Sequence, residues 1–181
     1  LIEGDTDECL IMNACVKHYF PKSKIKVINE RIYKDNLNKI ILEKTGNQEI
    51  DFFSLDLDGN DYWILKNLNY DKIKVVCCEY NNCLGNNVKK TIPYNPDHVF
   101  TRNGCFGASL GAFTDLFNSK GFDLIAIDSS GVNAFFVKKE FPNQFEILSP
   151  SKSFKTSNRF YTEEQLKKQH ENIKNFKFVE L

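Results

Sequence analysis

Strands and helices alternate along most of this chain, and the alternation ends with two strands that follow each other almost directly. Apolar runs with the character of strands occur at 1–3, 50–57 and 73–79, and segments with helical spacing separate them. Alternation of this kind predicts right-handed crossovers and a mainly parallel sheet covered by helices. The last two strands are predicted at 122–128 and 132–139, and the short link between them forces an antiparallel hairpin. The sequence thus predicts a doubly wound α/β sheet with a C-terminal antiparallel β-hairpin.

Local signals mark where the helices begin and end. Asp5 and Glu8 form a start that resembles a capping box, so a helix is predicted from about 6 to 20. Asp35 is predicted to cap a second helix, which Gly46 ends. The remaining predicted elements are helices at 61–68 and 108–119 and a strand at 24–29, in which one face is more polar and faces solvent.

The chain divides into one domain and a tail. Residues 1–140 carry the alternating pattern and form the predicted α/β domain, while residues 141–181 are poorer in apolar side chains. In that tail, Thr162 with Gln165 could cap one amphipathic helix, so we predict a peripheral C-terminal extension. The one long irregular stretch of the domain is 81–106, and loops of this length are usually functional or disordered.

Composition limits the classes of partner. The chain has 181 residues, of which 41% are hydrophobic, enough for one domain with a substantial core. Lys plus Arg and Asp plus Glu both number 24, so no net charge draws the protein to nucleic acid or anionic lipid. No run approaches the roughly 20 apolar residues that span a bilayer. We predict a soluble protein with neither nucleic acid nor a membrane as its main partner.

The six cysteines predict a reducing environment rather than a disulfide framework. Most lie inside apolar runs, and the adjacent pair Cys77 and Cys78 would point to opposite faces of one strand. Buried, reduced thiols are typical of a cytoplasmic protein. The sequence has no CxxC pair and no cluster of histidines, so no zinc site is predicted.

Four segments of the chain carry a more specific pattern when they are taken in order. They are IDFFSLDLDGNDYWIL (50–65), KVVCCEYN (74–81), GASLGAFTDLFNSKGFDLIAID (107–128) and GVNAFFVKKE (131–140). This ordered set resembles the FkbM-type family of S-adenosylmethionine-dependent methyltransferases, in particular the branch with a DGNDYW-like motif. The resemblance implies a class I methyltransferase-like (Rossmann-like) fold, in which the seventh strand lies antiparallel beside the fifth. It also implies S-adenosylmethionine as cofactor and an oxygen of a small molecule or saccharide as methyl acceptor.

The beginning of the chain departs from the pattern of that family. In this fold the first strand, followed by a glycine-rich turn, lies at the centre of the sheet and supports the cofactor. The chain opens with LIEGD, at what would be the second strand, and on Leu1. A sheet without its central strand would leave two rows of unpaired backbone groups, each costing about 1–3 kcal/mol. We expect either that residues before Leu1 supply the strand or that this chain alone binds the cofactor weakly.

The resemblance implies a cofactor site at the carboxyl end of the second strand. Glu3 stands there, where the fold has an acid that accepts hydrogen bonds from both ribose hydroxyls. A surface acid without a ligand is the alternative. Asp5 is a second candidate for cofactor binding, and its alternative role is to cap the first helix.

Two acids mark the end of the strand predicted at 50–57. Asp56 and Asp58 occupy alternate positions there, so both can face one crevice, at the edge where open α/β sheets bind ligands. As catalytic candidates they could orient the acceptor, deprotonate its hydroxyl or hold a divalent cation, although no metal is predicted. Asp56 could also contact the cofactor. The alternative is local: Asp56 would accept bonds from loop amides and Asp58 would cap the next helix.

The following strand end and the long loop supply candidates for acceptor binding. Glu79, Tyr80 and Asn81 would border the acceptor pocket, although a role in positioning the loop is equally open. Tyr94 and His98 lie in the loop, where a lid over the substrate would need polar groups. His98 is the candidate general base, because imidazole exchanges protons near neutral pH. Simple exposure to solvent is its alternative.

Two other functions stay open from the sequence. A methyltransferase-like module could bind a ligand or partner without chemistry. The DLDG run at 56–59 also resembles the motif of haloacid-dehalogenase-type phosphatases, in which the first acid attacks phosphorus and the second is a general acid. Asn60 stands where those enzymes have Thr or Ser, and the motif lies in the middle of the chain. Both features count against the phosphatase.

Overall fold

The computed structural model of the protein describes residues 1–141, 145–155 and 162–181. The helices of this part are α1 (Thr6–Tyr19), α2 (Leu37–Thr45), α3 (Asp61–Asn67), α4 (Leu110–Ser119), α5 (Pro150–Ser153) and α6 (Glu163–Asn175). The strands are β1 (Ile2–Glu3), β2 (Ile28–Asn29), β3 (Ile50–Leu55), β4 (Ile73–Glu79), β5 (Lys90–Thr91), β6 (Phe122–Ile127), β7 (Asn133–Lys138) and β8 (Val179–Glu180). None of the described helices is long and apolar enough to cross a membrane.

The main sheet is open and mixed, with four strands in the order β3-β4-β7-β6. β3 and β4 are parallel, whereas β7 is antiparallel to both β4 and β6. Val76 of β4 and Leu124 of β6 both lie opposite Phe136 of β7. The predicted hairpin is therefore confirmed, and the chain is a mixed α/β protein.

The first two strands form a separate small sheet. β1 and β2 pair in parallel over two residues each, and no pairing joins them to β3 among the described residues. The strand predicted at 24–29 is wrong over its first four residues, because β1 offers a partner only to Ile28–Asn29. The prediction that Asp35 caps α2 is also wrong: Asn36 is the N-cap residue. Gly46 ends that helix in the left-handed conformation (φ 60°), as predicted.

The core joins α3 and α4 to the main sheet. Seven residues of α4 are buried, including Phe113 and Phe117. The ring of Phe117 stacks on Phe136 of β7, with 4.2 Å between the ring centroids, and lies edge-on to Tyr70 at 5.8 Å. Rings of this size bury large apolar areas, so this layer contributes strongly to the hydrophobic stabilisation of the fold.

The C-terminal strap, defined as α6 and β8, packs on the long loop. β8 pairs antiparallel with β5. Gln169 of α6 is 3% exposed and donates to the carbonyl of Arg102 at 3.0 Å. The predicted capping box of Thr162 and Gln165 is present at the start of α6. The predicted extension at 141–181 contacts the long loop through α6 and β8; its residues 142–144 and 156–161 lie outside the described part.

Candidate functional site

A cavity of about 430 Å³ opens where three strands end. Its wall consists of the carboxyl end of β1, the residues after β2, the loop after β3 and two residues of the long loop. The lining residues are Ile2, Glu3, Gly4, Asp5, Glu30, Arg31, Ile32, Asp56, Leu57, Asp58, Asn60, Ile64, Pro96 and His98. Open α/β sheets bind ligands at this edge, and the volume suits a small organic molecule.

Acidic side chains dominate the charged part of the lining. Five acids stand against two basic side chains, of which only Arg31 carries a permanent charge. The acids are Glu3, Asp5, Glu30, Asp56 and Asp58. This balance favours a ligand that carries positive charge, because the same carboxylates would repel phosphate groups.

The acid loop, defined as residues 56–60, meets the end of β4 at the sheet edge. Carboxylate oxygens of Asp56, Asp58 and Glu79 all lie within 4.8 Å of one another. They converge because β3 and β4 are parallel neighbours whose carboxyl ends meet at one edge. Oxygens at this spacing could hold a divalent cation. The structure thus brings together three of the side chains singled out in the sequence.

The proximity of these carboxylates changes their protonation. Burial, and then the charges of Asp56, Asp58 and Asp61, raises the pKa of Glu79 far above its ordinary range. A shift in this direction favours the protonated form of Glu79, which can donate a hydrogen bond to Asp56. Burial and the charge of Asp56 also raise the pKa of Asp58, whereas nearby basic side chains, His98 among them, oppose that rise.

A buried carboxylate is bonded to the backbone of the acid loop. Asp61 is 2% exposed and accepts hydrogen bonds from the amides of Leu57 and Gly59, both at 2.9 Å. Burial raises the pKa of Asp61 to about 6, although these two amides lower it. Asp58, between the two amides, has a φ of 53° in the left-handed region. The helix N-cap is Asn60, so the alternative of Asp58 as a cap is not found.

The opposite wall comes from β1 and from the chain after β2. Glu3 lines the cavity and uses one carboxylate oxygen to accept the amide of Asp5 at 2.8 Å. Asp5 is the N-cap of α1 and accepts two amides of its first turn, so the capping role is confirmed. Arg31 reaches the carbonyl of Pro96 at 3.5 Å. That contact bridges this wall to the long loop.

His98 covers the acid loop from the other side. A methyl group added to Gly59 would collide with the imidazole ring, lying 3.0 Å from Nε2, so the close approach requires glycine. Nε2 is buried and has no hydrogen-bond partner among the described residues. Asn60 donates to the carbonyl of Asn95 at 2.7 Å and accepts the amide of Asn95 at 3.1 Å. These bonds hold His98 at the cavity with a ring nitrogen that a ligand could engage.

Four of the candidates are not among the residues that line the cavity: Glu79, Tyr80, Asn81 and Tyr94. Tyr80 is 1% exposed and donates to a backbone carbonyl at 3.0 Å; as the strand neighbour of Glu79 it points to the opposite face, into the core. Asn81 is fully buried and donates to two carbonyls of the long loop, each at 2.8 Å, so it positions that loop. The ring of Tyr94 lies 4.6 Å from the ammonium group of Lys34.

Sequence reasoning missed Glu30, Arg31 and Asp61. The first two follow a predicted strand in the same way that Glu3 ends its own, so the strand-end argument could have found them. Asp61 resembles an ordinary acid in the first turn of a helix. Its bonds to the preceding loop have no signal in the sequence pattern.

These residues can bind a cationic small molecule and exchange protons with it through Asp58 or His98. Glu3 adds a hydrogen-bond acceptor on the opposite wall, and Ile2, with other isoleucines of the lining, adds apolar surface. Comparison of the chain with protein-family models, with curated proteins and with solved structures finds no match.

Proposed function

We propose that this protein transfers a methyl group from S-adenosylmethionine to an oxygen of a small molecule or saccharide. The acidic cavity at the ends of β1, β2 and β3 carries the proposal. S-adenosylmethionine has a sulfonium and an ammonium group, so it gains from a lining in which acids outnumber bases. Nucleotide cofactors that bear phosphates would be repelled by the same carboxylates.

The order of the strands supports the same assignment. β7 lies antiparallel beside β4 and is followed at the edge by β6, which agrees with the arrangement that the family resemblance implies. In that fold β1 and β2 would correspond to the second and third strands and β3 to the fourth. Glu3 would then hold the position of the ribose-binding acid.

The side chains of the cavity fit the cofactor in polarity. The Glu3 carboxylate would accept hydrogen bonds from the ribose hydroxyls, and Ile2 and Ile32 offer apolar surface for the purine. Asp56 and Asp58 would attract the positively charged part of the molecule. When bound, the cofactor supplies an electrophilic methyl group.

The chain itself contributes positioning and proton removal. The acceptor hydroxyl must give up its proton as its oxygen attacks, and the Asp58 carboxylate or His98 Nε2 would take it. The Nε2 atom has no described partner that would compete for this proton. Pro96 and His98 cover the cavity and would exclude water from it. Holding two reactants in line is itself a large part of such catalysis.

One observation favours a second candidate, a methyltransferase-like module that binds a ligand without chemistry. The wall that contains Glu3 belongs to a two-stranded sheet that no described pairing joins to the main sheet. Catalysis requires a fixed distance between cofactor and acceptor groups, whereas binding alone tolerates a looser wall. The phosphatase alternative has less support, because Arg31 and His98 are the only basic groups of the described lining.

Calorimetry with two adenosine ligands of opposite charge tests the proposal. We expect S-adenosylmethionine to bind in the micromolar range and at least tenfold more tightly than adenosine monophosphate, a difference of about 1.4 kcal/mol. Glu3→Ala should weaken binding about tenfold, whereas Glu43→Ala, on the exposed face of α2, should leave it unchanged. Equal affinity for both ligands, or no binding of S-adenosylmethionine, would overturn the methyltransferase assignment.

Transfer is then followed with S-adenosylmethionine labelled on its methyl group. A panel of hydroxylated small molecules and saccharides serves as acceptors, with Asp58→Asn and His98→Gln as variants. Label transferred to an acceptor, and lost in one of these variants, supports the enzyme. Binding without transfer to any acceptor supports the module.

A further inference from the structure

Asp61 is a buried ionisable group that the proposed chemistry does not use. Both of its carboxylate oxygens are engaged: Oδ1 accepts the amide of Leu57 and Oδ2 accepts the amide of Gly59, each at 2.9 Å. Neither amide belongs to α3, whose N-cap is Asn60. The carboxylate therefore acts on the preceding acid loop.

The two bonded amides stand on either side of Asp58. This residue has a φ of 53°, a left-handed conformation that costs energy for residues with a Cβ atom, although Asp adopts it more readily than most. Such a conformation persists only where the surroundings impose it. A buried carboxylate that fixes the peptide groups next to Asp58 is a constraint of this kind.

We propose that Asp61 is the positioning residue of the acid loop and holds Asp58 in the left-handed conformation that brings its carboxylate to Asp56 and Glu79. The oxygens of these three acids lie within 4.8 Å of one another. The same carboxylate fixes Gly59, on which the ring of His98 rests. The effect of Asp61 on ligand binding rests on the proposed function, whereas its effect on the loop does not.

Asp61→Asn tests the effect on the loop, because asparagine keeps one acceptor oxygen and replaces the other with a donor. We expect the exchange of the Leu57 or Gly59 amide hydrogen, followed by NMR, to become at least tenfold faster. Asp35→Asn, which removes an exposed carboxylate elsewhere on the chain, should leave both amides unchanged. Unchanged exchange in a folded Asp61→Asn protein would overturn the proposal.

Asp58→Gly provides the second arm, because glycine adopts the left-handed conformation freely. If Asp61 holds a strained residue, losing Asp61 lets Asp58 relax, and that relief offsets part of the lost stability, whereas glycine has no strain to relieve. Asp61→Asn should therefore raise the equilibrium constant for unfolding at least threefold more when residue 58 is glycine. Equal losses in both backgrounds would overturn the proposal. If Asp61→Asn alone does not fold, the double variant should not fold either, and recovery of folding in the double variant would overturn the proposal.

Binding of S-adenosylmethionine separates positioning from general stability. Asp61→Asn should weaken binding about tenfold in the wild-type background and should add no further loss when Asp58 is already glycine. Additive losses would contradict action through Asp58. If the wild-type protein does not bind S-adenosylmethionine, the proposed function fails, and the exchange and stability arms still decide the role of Asp61.

Discussion

Helices α1 and α4 show how unequally the two walls of the cavity are supported. In α1, which follows the wall with Glu3, Cys9 is the only buried residue, and Leu10 is 63% exposed. In α4, which packs on the main sheet, seven residues are buried and Phe117 is fully enclosed. Proton transfer is assigned to the firmly packed wall and cofactor recognition to the thinly packed one. Three predictions test that contrast.

The largest effect is expected in the core. Phe117→Ala should lower the free energy of unfolding by about 3–5 kcal/mol, because it leaves a cavity among buried rings. The matched change in α1, Leu10→Ala, should cost less than about 0.5 kcal/mol. Both are measured by chemical denaturation. Equal losses would mean that α1 is as firmly packed as α4, and the contrast would fail.

Glu79→Gln tests the well-packed side of the site through the pH dependence of the free energy of unfolding. The pKa of Glu79 is raised in the folded protein, so the folded state keeps a proton that the unfolded chain releases. Stability should therefore fall as the pH rises from about 5 towards 9. Glutamine cannot ionise, so the variant should exceed wild type by at least about 1 kcal/mol near pH 8, roughly the value of one pKa unit.

Measurements near pH 4 and on an exposed glutamate are the controls for this pH series. The advantage of Glu79→Gln should disappear near pH 4, where the carboxyl group is protonated in both states. Glu43→Gln, an exposed counterpart on α2, should follow the wild-type curve throughout. Parallel curves for wild type and Glu79→Gln would show that Glu79 is ionised in the folded protein.

The smallest effect is expected at two helix caps, one on the thinly packed α1 and one on the well-packed α4. Asp5→Ala removes the cap of α1 and Ser109→Ala the cap of α4, and the loss of each cap costs about 1 kcal/mol. Ser109→Ala also removes the bonds of this hydroxyl to Lys90 and Val88, so its total cost should be the larger of the two. Asp5→Ala should speed amide exchange only within α1, because little else is packed on that helix. Ser109→Ala should also speed exchange in β4 and β6. A global response to Asp5→Ala would show tight coupling between the two walls.

The parts of the fold with a dense apolar signal could be predicted from the sequence. The prediction gives β4 its observed bounds because the mainly apolar run IKVVCCE begins after Lys72 and ends with Glu79. The hairpin followed from link length alone. The pairing of β5 with β8 could not be predicted, because strands of two residues have no periodicity and these lie about 90 residues apart.

Some features of the candidate site could likewise be predicted from the sequence, and others could not. The meeting of Asp56, Asp58 and Glu79 follows from the rule that parallel strands end at one edge. Tyr80 failed as a pocket candidate because side chains alternate along a strand, an argument that was available from the sequence. The bonds of Asp61 to the acid loop depend on the three-dimensional course of a turn, which no spacing reveals.

The C-terminal strap also affects the order of events during synthesis. Lys90 of β5 pairs with Glu180 of β8, so β5, at the start of the long loop, gains its strand partner only after residue 180 has been made. The strands of the main sheet and α4 all lie before residue 140, although Leu148 and Phe154 later add contacts to this core. A nascent chain can therefore assemble the main sheet and α4 before β5 is paired, because contacts distant in sequence form late. The pairing of β5 with β8 would come last.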